Sequence, residues 1–523
     1  MRVAARPAIK GQPEVVRLRS AAGGCLALRC SFAAVFQDFA RLFRSGSFIR
    51  SFVRFPSLMP SLLKLLRPDR RLALHLPVHG RGAALPPRLK RLLRQSPGSW
   101  DLPELPEIGG PLEAEGAVAR SQRRLADVVG VDHCWFGVNG ATGLLQAGLL
   151  AMAQPGEAVL LPRNAHRCLI AACELGGVMP VFLPVPFLPE RGHFGAMTAD
   201  GLKRSLEPWP DPGRPIVGAV LVHPTYHGYS AEILELVELL HAQGLPVMVD
   251  EAHGTHLAFG SGKDSPLSAL AAGADLVVHS LHKSAPGLAQ TAVLWHRAER
   301  VDVDRLQRSL GRLQTTSPSA LLLASCETTL DWMLSSDWST LLETRRSEAI
   351  KLIDHLRKRG VHLHHSDDPM RLILATAQIG ASGLDADKHC MLQGLIAELP
   401  EPLCLTFCLG FARHRGLAKQ LERTWQQLIE EGGGAPLPVI PEPPLQGTSI
   451  PVLTPDQAQR LPTTTRSLGE CVDRIAAELL CPYPPGVPLL VPGERITAAR
   501  CHWLQSQHRQ WPDQVPGMVR VVA

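Results

Sequence analysis

The chain has 523 residues, enough for two or three domains, and its 45% apolar and 20% charged residues are typical of an ordinary globular protein. No uncharged apolar run of about 18 residues occurs, so the sequence predicts no membrane-spanning helix. The net charge of +6 comes from residues 1–58, which hold ten of the 54 basic and two of the 48 acidic residues. The other 44 basic and 46 acidic residues are nearly balanced, which argues against nucleic-acid binding.

Residues 1–58 form a basic segment that also holds seven of the fourteen phenylalanines. This composition fits a transit peptide, an arm that binds a surface, or upstream sequence that does not belong to the natural product. We favour the third interpretation, with Met59 as the natural start, because composition and folding signals become regular just after it.

Residues 59–115 are predicted to form an N-terminal arm, with short helices at Pro60–Leu66 and Pro87–Arg94. Strand-like and helix-like stretches then alternate over 116–335, which predicts a large domain with a mostly parallel sheet and crossover helices. The predicted strands are Ala158–Leu161, Met179–Leu183, Val217–Val222, Pro246–Asp250, Asp275–Ser280 and Ala292–Trp295. The predicted helices of this domain include Ala141–Ala153 and Ala231–Gln243.

A long helical pattern from Ala320 to Lys358 leads into a smaller α/β domain, predicted over 336–430. A stretch rich in Gly and Pro follows, and residues 431–523 are predicted to form a C-terminal segment with a helix at Leu468–Leu479. The predicted fold class is therefore α/β, with a mostly parallel sheet in the large domain.

Twelve cysteines are scattered through the chain without a CxxC pair, which favours a reducing compartment and predicts a cytoplasmic protein. His362, His364 and His365 resemble a metal-binding cluster. No ordered carboxylate or cysteine spacing accompanies them, so we predict no metal.

Lys283 and Asp250 are the residues most suggestive of chemistry. Each follows or ends a predicted strand, and the carboxyl ends of parallel strands meet at one edge of a sheet. A buried lysine is costly unless its charge is paired or lost, and a Schiff base removes the free ammonium. A Schiff-base lysine and a carboxylate that holds a pyridinium nitrogen are what pyridoxal phosphate (PLP) needs, so we predict PLP as cofactor.

Two further features fit this prediction. The stretch NGATG places Ala141 and Thr142 at the start of a helix, where free N–H groups and the helix dipole favour a phosphate. His166 follows a strand, and its imidazole suits stacking on a flat heteroaromatic ring.

Five stretches in this order carry a family resemblance: NGATG, VDEAHGTHLAFG, HSLHKSAPGLAQTA, TTSPSALLLAS and CPYPPGVPLLVPGE. Together they resemble the Orn/Lys/Arg decarboxylases of the aspartate-aminotransferase fold, over roughly residues 59–510. The resemblance implies PLP-dependent transferase fold type I. It also implies the shorter, biosynthetic type, because the chain has no room for an N-terminal receiver-like domain.

The resemblance also implies roles for individual residues. Lys283 is the Schiff-base lysine, Asp250 pairs with the pyridinium nitrogen, and His166 stacks on the ring. The implied cofactor-binding set also includes Ala141, Thr142, Ser280, His282, His253 and Thr316. Thr316 matches a residue that reaches the phosphate of the neighbouring subunit, which implies a homodimer or higher homo-oligomer. Glu494 falls in a segment that borders the substrate channel.

Three positions depart from the family pattern. The early PGHK motif has Gly80 in place of its lysine, the small hydroxyl after NG is replaced by Ala141, and Ala320 replaces an aromatic residue. The changes at Gly80 and Ala320 bear on substrate choice, and the change at Ala141 removes a phosphate hydroxyl.

The implied activity is decarboxylation of lysine, arginine or ornithine to the corresponding amine, with Lys283 or His282 returning a proton to Cα. Two alternatives stay open at this point. An aminotransferase would share the lysine and aspartate but would need an arginine clamp for a second carboxylate. A non-catalytic PLP-binding relative is the other.

Overall fold

The computed structural model describes residues 71–260, 265–432, 434–445, 447–481 and 487–523, together with Leu62, Leu66 and Asp69. Residues 1–69 and 70–523 form separate units, and the second is described below. The basic segment 1–58 and most of the predicted helix Pro60–Leu66 lie outside the described residues.

The helices and strands are numbered along the chain. Up to residue 205 they are β1 (Leu72–Ala73), α1 (Pro87–Leu92), α2 (Gly116–Val129), β2 (His133–Gly137), α3 (Gly140–Met152), β3 (Ala158–Pro162), α4 (Arg167–Gly176), β4 (Met179–Leu183), β5 (Phe187–Leu188), β6 (His193–Phe194) and α5 (Ala199–Ser205). Up to residue 358 they are β7 (Ile216–Val222), α6 (Ile233–Ala242), β8 (Val247–Asp250), α7 (Thr255–Ala258), β9 (Leu276–Ser280), β10 (Ala292–His296), α8 (Val303–Leu313), α9 (Ala320–Met333) and α10 (Ser336–Lys358). The rest are β11 (Leu363–His364), β12 (Arg371–Leu374), the 3-10 helix Thr376–Ile379, α11 (Gly383–Leu392), β13 (Leu395–Ile396), β14 (Leu399–Pro400), β15 (Leu405–Cys408), α12 (Leu417–Gly432), α13 (Pro455–Arg460), β16 (Thr463–Ser467), the 3-10 helix Leu468–Glu470, α14 (Ala498–Gln510) and β17 (Met518–Val522).

The main sheet has seven strands in the order β2-β10-β9-β8-β7-β3-β4. β10 runs antiparallel to both of its neighbours, so the other six strands all run in one direction. Strands β3, β4, β8 and β9 are buried along their whole length, as expected for a sheet covered on both faces. The six predicted strands are confirmed to within one residue, whereas β2 was not predicted.

Helix α3 packs directly on this sheet. It lies against β9 and β10 and contacts α4 and α8. Gly148 permits this approach, because a Cβ there would lie 2.5 Å from the Sδ of Met248 on β8. The close contact fixes the start of α3 relative to the ends of the strands.

The smaller sheet is antiparallel, in the order β11-β12-β15-β14. The long helix predicted over Ala320–Lys358 is two helices, which is a correction. The chain breaks at Ser335, whose hydroxyl accepts the N–H of Trp338 and so begins α10 as a new helix. The α/β class with a smaller second domain is confirmed; the predicted domain boundaries stay predictions.

The helix predicted at Leu468–Leu479 is wrong beyond its first turn. Only Leu468–Glu470 is helical, and Asp473 takes a positive φ of 61°. The N–H of Ala476 donates to the carbonyl of Glu494, 2.8 Å away, so distant backbone partners replace helical ones. The C-terminal helix is α14 instead. Among the described residues, no helix is long and apolar enough to span a membrane.

Candidate active site

The carboxyl ends of the parallel strands open into one cavity of about 420 Å³. Asp250 ends β8, Lys283 lies three residues after β9, and His166 caps α4 just after β3. All three line the cavity, and so do His193, Thr225, Tyr226, His227, His253 and Glu401. The structure therefore brings Lys283 and Asp250 to one edge of the sheet, as predicted.

Lys283 has a histidine beside its amine. Its Nζ lies 3.4 Å from Nε2 of His253, while Nδ1 of His253 lies 3.3 Å from a guanidinium nitrogen of buried Arg371. A guanidinium only donates, so Nδ1 must accept and the proton of His253 is on Nε2, facing Lys283. Burial, and then the charges of Lys283 and Arg371, hold the pKa of His253 well below its usual value. His253 is therefore a neutral imidazole beside the Lys283 side chain.

Asp250 is 8% exposed, and its Oδ1 accepts the N–H of Ala252 at 3.2 Å. Across the cavity, Nδ1 of His166 accepts the N–H of Cys168 at 3.2 Å, which leaves the proton on Nε2. Burial lowers the pKa of His166, and the nearby Asp250 carboxylate opposes this. The pair can thus present one anionic and one neutral group to a flat ring.

The start of α3 offers unengaged donors at the same edge of the sheet. Asn139 does not cap the helix, because its side-chain amide donates instead to the carbonyl of Leu313 at 3.0 Å. The first N–H groups of α3, including those of Ala141 and Thr142, are thus without a side-chain cap. Such a helix start suits a phosphate.

Ser280 and His282 lie on the loop that carries Lys283. The Ser280 hydroxyl is 3.2 Å from Nδ1 of His282, and burial together with the Lys283 charge lowers the pKa of His282 to about 4. The N–H of Val78 in the N-terminal arm donates to the carbonyl of His282 at 3.0 Å. A lysine, a carboxylate, a flat imidazole and donors for a phosphate therefore occur together, and they fit PLP.

Gly80 explains one departure from the family pattern. Its φ is +55°, and a Cβ there would lie 2.6 Å from the Cβ of Ala412. A lysine would be strained in this backbone, so the local conformation of the arm explains why a glycine stands at this position.

Six predicted residues are not among those that line the cavity: Ala141, Thr142, Ser280, His282, Thr316 and Glu494. The first four lie at the start of α3 and on the loop that carries Lys283, as described above. Thr316 is exposed in the loop between α8 and α9. Glu494 is 2% exposed; its carboxylate accepts two bonds from Arg163, at 2.7 and 2.8 Å, and lies 3.2 Å from Arg500. Val487 and Pro488 of its segment do line the cavity. The roles proposed for Thr316 and Glu494 stay predictions.

A buried cluster at the cavity wall was not predicted from the sequence; its members are Glu401, His193, His227, Tyr229 and Cys404. Oε2 of Glu401 lies 2.8 Å from Nε2 of His227 and 3.3 Å from Nδ1 of His193, whose rings stack 3.6 Å apart. These three residues also form a group with metal-ligand atoms within 4.8 Å of one another. Stacked rings that face one oxygen suit hydrogen bonds to a shared acceptor better than ligands radiating from a metal. The only sign of this cluster in the sequence was Glu401, a single glutamate shortly before the apolar strand β15.

Known proteins are similar to this chain over most of its length. Residues 59–379 match the major domain of the Orn/Lys/Arg decarboxylases, and residues 449–522 match their C-terminal domain. The arginine decarboxylase of Bacillus subtilis (strain 168) is 31% identical over 446 residues, covering 81% of this chain and 88% of that protein. The arginine decarboxylase of Halalkalibacterium halodurans is 29% identical over 451 residues, covering 83% and 90%. The structure of lysine decarboxylase A from Pseudomonas aeruginosa has a TM-score of 0.68 at 18% identity, covering 83% of this chain and 75% of that one.

The structural likeness supports fold type I, and the family match covers more than half of the chain. The sequence left a decarboxylase and an aminotransferase open, and the family match decides in favour of the decarboxylase. The chain belongs to the Orn/Lys/Arg decarboxylase family and is a PLP-dependent decarboxylase of a basic amino acid.

Proposed function

We propose that arginine is the substrate, and that the products are agmatine and CO2. The observation that carries this proposal is the similarity to two arginine decarboxylases, at 31% and 29% identity over four fifths of the chain. The lysine decarboxylase structure, at 18% identity, supports the fold alone.

We propose that Lys283 forms the covalent bond to PLP. Its Nζ lines the cavity and lies 3.4 Å from Nε2 of His253, and a lysine amine is the nucleophile that forms a Schiff base with PLP. When bound, PLP supplies an electron sink for the pair left behind as the Cα–carboxylate bond breaks. Lys283 would hold PLP when no substrate is bound, and its Nζ would stay in the cavity during turnover.

Asp250 would hold the proton on the ring nitrogen, since a buried carboxylate favours an adjacent positive charge. His166 would lie against the ring face. The N–H groups of Ala141 and Thr142, with Ser280 and His282, would hold the phosphate; Ala141 offers only its backbone there.

Lys283 is the better candidate to return a proton to Cα. A pKa of about 4 keeps His282 neutral near pH 7, where it is a poor acid. The Nζ of Lys283, by contrast, lines the cavity in which the substrate would bind. His282 would then orient groups around the lysine rather than donate the proton itself.

We also propose a homodimer, in which Thr316 reaches the phosphate in the partner's site. Its exposure in a loop outside the cavity of its own chain is compatible with this role. The cytoplasmic location inferred from cysteine usage is likewise a proposal.

Product analysis tests the substrate. The purified protein, loaded with PLP and checked by its absorbance near roughly 420 nm, a property of the cofactor bound to lysine, is given arginine, lysine and ornithine separately. We expect CO2 and agmatine from arginine, at a kcat/KM well above those for the other two. Preferential formation of cadaverine or putrescine would overturn the arginine assignment, and no product from any of them would contradict decarboxylation itself.

A further inference from the structure

We propose that Glu401 binds the cationic end of the substrate side chain, through its Oε1 oxygen. This inference rests on the proposed function, because it assigns the residue that selects a basic amino acid within the same cavity.

Glu401 is placed in the cavity wall by a tight turn between β14 and β15. Its N–H donates to the carbonyl of Cys404 at 2.9 Å, and its side chain is 2% exposed. It lines the same cavity as Lys283 and Asp250. A substrate linked near Lys283 can therefore extend its side chain toward this carboxylate.

The two oxygens of Glu401 have different surroundings. Oε2 faces three donors: Nε2 of His227 at 2.8 Å, Nδ1 of His193 at 3.3 Å and the thiol of Cys404 at 3.3 Å. Within the part of the chain that the structure describes, no hydrogen bond reaches Oε1. Oε1 is not one of the enclosed side-chain oxygens that lack a partner, and Glu401 lines the cavity, so Oε1 is accessible to a ligand.

The side chains that pair with Glu401 are imidazoles rather than a lysine or an arginine. Burial alone would raise the pKa of its carboxyl, but His227 and His193 hold the pKa below its ordinary value, so it stays ionised. Burial and His227 lower the pKa of His193 to about 4, so this neighbour is neutral at pH 7. Among the described residues, no lysine or arginine forms an ion pair with Glu401. Burying a carboxylate is costly, and a substrate cation at Oε1 would offset part of that cost.

Arg191 helps to orient the Glu401 cluster through Tyr229. Arg191 donates to the hydroxyl of Tyr229 at 2.8 Å, and that hydroxyl lies 2.8 Å from Nε2 of His193. Tyr229 therefore donates to Nε2, and His193 donates from Nδ1 to Glu401. This chain of hydrogen bonds fixes Oε2 and leaves Oε1 in a defined position, which is the preorganisation that selective binding requires.

Calorimetry on PLP-loaded protein isolates the charge contribution. Agmatine is compared with carbamoylputrescine, in which an uncharged ureido group replaces the guanidinium. We expect wild-type protein to bind agmatine roughly 100-fold more tightly, and Glu401→Gln to reduce the ratio to about tenfold or less. The variant should also raise KM for arginine much more than it lowers kcat.

Glu251→Gln is the matched control. Glu251 is a fully buried carboxylate that contacts His279 at 2.7 Å, yet it does not line the cavity. Its variant should keep the wild-type affinity ratio. Should Glu401→Gln fail to fold, Glu401→Asp keeps the charge on a shorter side chain and should give an intermediate ratio.

An unchanged ratio in a folded, PLP-loaded Glu401 variant would overturn the inference, as would an equal loss of affinity for both ligands. Failure of the arginine proposal is recognised separately, from the products of the wild-type protein. If wild-type protein makes cadaverine or putrescine, the same comparison is run with that diamine and its mono-acetylated form.

Discussion

His253 lies between Arg371 and Lys283, and Arg371 determines which nitrogen of His253 carries the proton. Arg371 can only donate, so it forces His253 to present its proton to Lys283. Burial, and then the neighbouring charges of Lys283 and Arg371, keep the pKa of His253 low. Arg371 thus fixes the tautomer of the imidazole that lies beside the reactive lysine.

The assignment of Lys283 predicts a chemical label. Borohydride reduction of the PLP-loaded protein should fix the cofactor on Lys283, as identified by peptide mapping. Lys283→Ala should lose this linkage and reduce kcat by at least about 1000-fold, since a covalent partner has no substitute. A label on a different lysine would refute the assignment.

We expect Asp250→Asn to impair turnover without impairing PLP binding. The amide can still hydrogen-bond the ring nitrogen but cannot stabilise a positive charge on it, so PLP should be retained while kcat falls about 100-fold or more. Absorbance measures the first quantity and CO2 release the second. Turnover near the wild-type rate would show that another group holds the ring nitrogen.

Residues that follow a single strand could be found from the sequence, and residues that act across segments could not. Lys283 and Asp250 each end an apolar run, a pattern visible locally. Glu401, His193 and His227 lie far apart along the chain, and only the folding of the smaller sheet against the large domain brings them together.

At the scale of elements, the C-terminal segment is held by a buried ion-pair cluster. Glu494 accepts from Arg163 and Ser449 and pairs with Arg500, while Arg163 also donates to the carbonyls of Pro488 and Leu489. These contacts tie the segment after residue 487 to the end of β3. The cavity wall formed by that segment therefore depends on charges that do not line the cavity.

Glu494→Gln should destabilise the protein by roughly 3–5 kcal/mol, because two buried guanidiniums lose their counter-charge. Urea unfolding measures the change, and proteolysis should cut the C-terminal segment more readily. The control is Glu235→Gln, which breaks an exposed pair with Lys203 and should change stability little, because solvent screens that pair. Equal effects of the two substitutions would contradict the role given to the cluster.

Strands and helices could be predicted where a local pattern of apolar residues determines them. Continuous apolar runs identified six strands, because a parallel sheet buried on both faces requires them. Ser335 was missed as a break because helical periodicity continues on both sides of it. Residues 471–479 read as a helix, yet their backbone hydrogen bonds go to residues near 495 and 520, information that periodicity does not contain.

At the scale of the whole molecule, buried histidines should make the fold sensitive to acid. The pKa values of His193, His282 and His364 are each lowered to about 4 by burial, against an ordinary value of 6.5. The unfolded chain therefore binds more protons between these values, and stability is lost as pH falls from about 6.5 toward 4.

Urea unfolding at pH 7.5 and pH 5 checks this expectation. We expect a loss of about 1–2 kcal/mol for each such histidine at the lower pH. His193→Gln should reduce the difference, whereas substituting exposed His365 should leave it unchanged. Stability that is constant over this range would mean that these imidazoles are not held neutral.

The proposed dimer predicts complementation between inactive chains. A Lys283→Ala chain mixed with a Thr316→Ala chain should form heterodimers in which one site carries both defects and the other carries neither. Activity should then recover in proportion to the heterodimer fraction, as measured by CO2 release. Proven heterodimers without recovered activity would place Thr316 in its own subunit's site or outside the site.

Val487 and Pro488, on the cavity wall, lie far downstream of Lys283 in the sequence. A ribosome therefore synthesises Lys283 well before it synthesises this part of the wall. In a growing chain the reactive lysine would precede the segment that encloses it, so the site can be completed only after that later segment has been made.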